Sequence, residues 1–142
     1  CARLVRANGV YGALVSRLWP LRLGAHLGAG PSTTVGEQLW CVLGARESYP
    51  RAARARQWQG FTSPVSLDET TRADILLAAL AVTAREVSAW IDELASDDDW
   101  NYAFGLLEHE AQHHGQLIRY LYANGVARPA SWQGQYALDG SS

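Results

Sequence analysis

The chain has 142 residues, 48% of them hydrophobic, and a formal net charge of −2. That is the length of one domain with a single core, and the composition is not that of a disordered chain. The charge balance gives no basic stripe for nucleic acid, and the longest apolar run, Ile75 to Val82, is too short to span a bilayer, so neither is an expected partner.

Cys1 stands first and there is no Met, so a processed or trimmed start is expected; no signal-peptide pattern opens the sequence. Two cysteines do not form a disulfide framework, and a reducing cytoplasm is the expected location.

The spacing of Leu4, Val5, Tyr11, Leu14, Val15 and Leu18 predicts a first helix near 3–19, ended by Pro20. Gly9 and Gly12 weaken it, and close packing against another helix is the expected reason for them. Residues 20–33 are rich in Gly and Pro and read as a loop, with His26 a solvated loop residue. Thr34 and Glu37 form a capping box that opens a second helix near 34–56. Pro50 bends it or starts a new turn, and the arginines of 51–56 make an exposed basic face. Residues 58–64 connect onward. Ser66 and Glu69 make a second capping box, expected to open a helix near 67–95. Its seam is Leu76, Leu80, Thr83, Val87, Trp90 and Leu94. Asp97-Asp98-Asp99 supplies a turn and cap before a fourth helix near 100–124, which Gly125 ends in a left-handed conformation. The tail, 126–142, has no clear period. Trp132 and Tyr136 are expected to pack it back, and Gly140 to Ser142 to be disordered. No hairpin or alternating strand is present. The expectation is a single all-α domain over 1–142, a four-helix bundle with long connectors at 20–33 and 50–65.

The fourth helix carries the chemistry. Leu106, His109, His113, Leu117, Tyr120 and Asn124 form its inward stripe. His109 and His113 are four residues apart, so they stack one turn apart on one face. Two imidazoles so placed can grip one divalent metal. A catalytic site needs a third protein ligand and keeps one position open. Cys41 is the best candidate, on a small and polar face of helix two beside Leu39, Val42 and Leu43. A Cys/His/His set suits zinc, or nickel as a similar borderline metal.

The stretch LLEHEAQHHGQLIRYLYANGV, with Pro129 after it, resembles the signature helix of the DinB-like, YfiT-like superfamily of four-helix bundles. That signature has a histidine pair spaced by four, then an Arg-Gly-Gln-like step and a helix running to Gly. His109 and His113 match the pair, and His114-Gly115-Gln116 the step, with His114 where the family often has Arg. TTVGEQLWCVLGARESY resembles the second helix of the family and RANGVYGALVSRL its first, so the resemblance covers nearly the whole chain. It implies three histidine ligands to a divalent metal, one from helix two and two from helix four. The helix-two histidine aligns with Cys41. Either Cys41 replaces it as ligand, or the site is weakened or lost.

The resemblance also implies a metal-dependent enzyme acting on a small-molecule substrate. Characterised members resemble thiol S-transferases and isomerases that use bacillithiol, mycothiol or glutathione, and others hydrolases. A low-molecular-weight thiol is therefore an expected cofactor, with Gln116, Tyr120 and Glu37 as polar wall residues around it. A homodimer is expected too, from the family and from six tryptophans in a chain of this size.

Two competing readings stand beside it. His109-Glu110-Ala111-Gln112-His113 is a literal H-E-x-x-H, in which Glu110 would be the general base of a zinc peptidase. The extended form of that motif fails at Gln116 and Arg119, and no Glu follows His113. Glu110 also points about 100° away from His109 on a helix. The other reading is a non-catalytic bundle with a degenerate metal site.

Overall fold

The computed structural model describes residues 2–18, 23–28 and 32–138. Five α-helices account for most of them: α1 (Ala2–Leu18), α2 (Val35–Ala55), α3 (Ala73–Glu93), α4 (Asp97–Ala123) and α5 (Ala130–Tyr136). No strand occurs among the described residues, so the fold is all-α. None of these helices is long and apolar enough to cross a membrane.

The four longer helices pack on one another. α2 lies most extensively against α4 and also against α3, and α1 packs on α3 and α4. The expected stripes are largely the buried ones, with Leu94, His109 and Asn124 half-buried. Tyr11, Leu14, Val15 and Leu18 of α1 are buried, as are Leu76, Leu80, Thr83, Val87 and Trp90 of α3. Leu106, His113, Leu117 and Tyr120 of α4 join them. The side chains of Leu4 and Val5, the proposed stop at Pro20, and Cys1 and 140–142 lie outside the described residues.

The helices differ from expectation in three places, each for a local reason. The Ser66–Glu69 box forms, with Glu69 Oε2 accepting from Ser66 N at 3.1 Å and Ser66 Oγ at 2.7 Å. It caps only a 3-10 turn over Leu67–Glu69, and α3 begins at Ala73. α4 begins at Asp97 because Ser96, not the acidic run, is its cap. Ser96 Oγ accepts from Asp99 N at 3.2 Å, and Asp99 returns the bond to Ser96 N at 3.0 Å. An Asp thus does at the third position what Glu does in the usual box. The tail carries a fifth helix. Trp132 on it is fully buried, and its indole donates to Val10 O at 2.8 Å.

Other local expectations hold. Thr34 Oγ1 accepts from Glu37 N at 3.1 Å and Glu37 Oε2 from Thr34 N at 2.6 Å. Gly125 has φ +60°. α2 runs through Pro50 without ending there. Gly9 and Gly12 do not serve close packing: a Cβ on either would meet nothing within 4 Å among the described residues. The close approach is at Gly36, where a Cβ would stand 2.0 Å from the carbonyl oxygen of Thr70. Backbone cannot yield as a side-chain tip can. Gly36→Ala is therefore expected to cost about 2–3 kcal/mol in urea unfolding; a change below about 0.5 kcal/mol would show that the 66–72 turn moves freely.

Candidate metal centre

The contact between α2 and α4 brings Cys41, His109 and His113 together. One donor atom from each lies within 4.8 Å of the other two. Cys41 Sγ and His109 Nε2 are 3.5 Å apart. A tetrahedral zinc with ordinary Zn–S and Zn–N bonds would hold a sulfur and a nitrogen about 3.6 Å apart. The two imidazoles stand at 4.5 Å between centroids, tilted by 56°. His113 Nδ1 is hydrogen-bonded to Gln38 Oε1. His109 Nδ1 is buried with no protein partner. The donor set and its spacing fit a divalent ion of zinc type.

Burial sets the protonation of this cluster. It lowers His109 below the ordinary histidine range, and lowers His113, helped by the charge of nearby His109, to about 4. It raises the Cys41 thiol. At neutral pH both imidazoles are therefore neutral donors and the thiol keeps its proton. Metal entry displaces one proton, from Cys41.

Glu110 takes no part in the donor cluster. Its carboxylate is buried and held by Arg46, with Nε to Oε1 at 2.6 Å and Nη2 to Oε2 at 3.2 Å. The guanidinium also lies over the Tyr11 ring at 5.0 Å, and the Tyr11 hydroxyl donates to the Glu110 carbonyl at 3.3 Å. With both oxygens committed to a guanidinium, Glu110 is not available as a general base. Beside it, His114 is buried between Tyr11, Trp132 and Tyr136, with Nδ1 bonded to the Tyr136 hydroxyl.

The three proposed wall residues are placed differently. Glu37 spends its carboxylate on the α2 cap. Tyr120 is buried and gives its hydroxyl proton to the Thr33 carbonyl. Gln116 is exposed on α4. His26 is exposed in its loop, as expected, with Nδ1 at 2.7 Å from Ser32 O.

Residues that sequence reasoning passed over surround the cluster. Gln38 lies one turn before Cys41 and is 9% exposed. Tyr49 stacks near His109 at 6.4 Å, and Trp58, half exposed, meets Tyr49 edge-on at 5.7 Å. Phe61 occupies the notch at Gly44, where a Cβ would stand 2.1 Å from its ring. The segment carrying these rings is tied to α2 by Arg51 to Gly60 O (2.8 Å), Thr62 N to Ser48 Oγ (3.1 Å) and Trp40 Nε1 to Val65 O (2.7 Å). A polar Gln and an Arg inside the apolar stretch QLWCVLGAR were the available signal for Gln38 and Arg46.

Comparison with protein-family models, with curated protein sequences and with solved structures gives no match to this chain.

Two outcomes follow from the buried groups. Arg46→Met alone should cost about 3–5 kcal/mol, because it strands the Glu110 carboxylate, while Arg46→Met with Glu110→Leu should recover most of that; a double variant no more stable than the single one refutes the account. In metal-free protein, His113 and His114 both titrate near 4, chiefly because they are buried, against an ordinary 6.5. Between those values the unfolded chain binds more protons, so stability is full above about pH 6.5 and is lost as pH falls towards 4. Denaturant melts with a chelator present should show unfolding take up the protons of His113 and His114 in that window, with a further contribution from His109, which burial also lowers; a flat profile contradicts it.

Proposed function

We propose that the chain is a four-helix bundle of the DinB-like kind and a divalent-metal-dependent enzyme acting on a small-molecule substrate. Thiol S-transferase or hydrolase chemistry fits it best. The observation that carries this is the convergence of Cys41, from α2, with His109 and His113, from α4. Cys41 and His109 are 68 residues apart in sequence. Three donors of this type leave a tetrahedral ion one position for water or a thiol. A zinc-type ion held there supplies a lowered pKa to whatever occupies that position.

The protein's own contribution is legible residue by residue. His109 and His113 present neutral nitrogens because burial disfavours their charged forms. Cys41 releases its proton on binding and brings the negative charge that partly neutralises the ion. Tyr49 and Trp58 extend as a line of rings from His109 to the surface and offer apolar contact to a substrate. Gln116 is the one proposed wall residue whose side chain lies exposed. The peptidase reading loses its support, because Arg46 holds the Glu110 carboxylate.

Protein purified without added metal should carry close to one equivalent of zinc or nickel by elemental analysis. Cys41→Ala and His113→Ala should each abolish most of it. Since only the thiol must lose a proton near neutrality, the logarithm of zinc affinity should rise by about one per pH unit between about pH 6.5 and 8. A slope near three, or retention of metal by Cys41→Ala, would count decisively against this ligand set.

A further inference from the structure

The geometry points to Gln38 as the residue that positions His113 for metal binding, by fixing which ring nitrogen carries the proton. This rests on the metal centre proposed above and adds to it a residue that is not itself a ligand.

Gln38 is buried between α2 and α4, and its carboxamide faces two partners. Its Nε2 donates to Thr33 Oγ1 and its Oε1 meets His113 Nδ1. A carboxamide oxygen only accepts, so the proton of neutral His113 must sit on Nδ1. That leaves Nε2 with its lone pair free, the form a metal requires.

The orientation of the amide is itself held. Thr33 Oγ1 accepts from Gln38, so its own proton is free to turn towards the Tyr120 hydroxyl oxygen at 3.5 Å. Tyr120 in turn donates to the Thr33 carbonyl. Reversing the amide would draw the Thr33 proton to Gln38 and leave the Thr33–Tyr120 oxygen pair with no hydrogen between them. Thr33 itself is exposed, but the Gln38 amide and the Tyr120 hydroxyl are buried, and buried polar groups favour the arrangement in which every donor meets an acceptor. A chain of directed bonds thus runs from α4, at Tyr120, through the segment before α2 and back to the α4 histidine. Tyr120 and Thr33 act on the metal centre at one remove. Without the Gln38 oxygen, His113 is free to place its proton on either nitrogen and to rotate, and only one of those states binds.

The test reads the tautomer first and the metal second. In metal-free, uniformly 15N-labelled protein at neutral pH, long-range 1H–15N correlation spectra should show His113 protonated on Nδ1 with an unprotonated Nε2. Gln38→Leu should give a mixed or reversed tautomer and bind zinc about 10–100-fold more weakly in competition with a chelator. Gln38→Glu keeps an acceptor oxygen and should restore the Nδ1–H form and most of the affinity. A proton on Nε2 in the unaltered protein overturns the inference, and so does Gln38→Leu binding zinc as well as the original. The tautomer is read on the unaltered chain, so the inference is decided even where Gln38→Leu fails to fold. The Nδ1–H form in a protein that takes up no zinc keeps the hold of Gln38 on the His113 tautomer but sinks the proposed function, and with it the role of that hold in metal binding.

Discussion

The convergence of the three candidate metal donors depends on how closely and in what register α2 lies against α4, and the buried Arg46–Glu110 pair fixes both. Two charges removed from water are tolerable only together and only in good geometry. Here the guanidinium meets both carboxylate oxygens, and the Tyr11 ring covers its face. Sliding either helix by one residue would separate the pair and strand both charges. Cys41 lies five positions before Arg46, and His109 and His113 bracket Glu110. The ion pair is therefore a clamp whose two ends hold the three donors level. Small residues let the surfaces close around it. Tyr49 rests at Gly105, where a Cβ would stand 2.8 Å from its ring, one turn before His109.

Much of the helical architecture was legible in the sequence, because it rests on short-range signals. The Thr34–Glu37 box, the α3 seam and the α4 stripe involve residues within a turn or two of one another. The differences arise where a local signal had two outcomes. Ser66 and Glu69 form the same bonds at the head of a 3-10 turn as at the head of a long helix. Ser96 and Asp99 went unread because the acidic run after Ser96 looked like the cap itself. α5 is too short to show a period, and a single buried Trp132 anchors it.

The candidate site divides in the same way. His109 and His113 sit on one face by helical spacing alone. Cys41 required the neighbouring helix, and the resemblance to a known superfamily supplied the same position. Gln38, Arg46 and Tyr49 were hidden because their roles are interhelical. Nothing within α2 says that a buried glutamine meets a histidine 75 positions away. The converse error fell on Glu37 and Tyr120. Polar residues near a site look like ligand contacts in a sequence, yet both are occupied by backbone groups.

Trp132 also bears on how large the folding unit is. Its indole fills space against α1 and His114, and its nitrogen donates to the carbonyl of Val10. Together with Tyr136 it shuts water away from Tyr11 and His114, which lie directly behind the Arg46–Glu110 pair. A chain stopped at Gly125, where the long helices end, would lose this cover and expose the buried Tyr11 and His114 beside the clamp to water. The folding unit is thus the four long helices together with the seven-residue plug Ala130–Tyr136 that closes over α1 and His114.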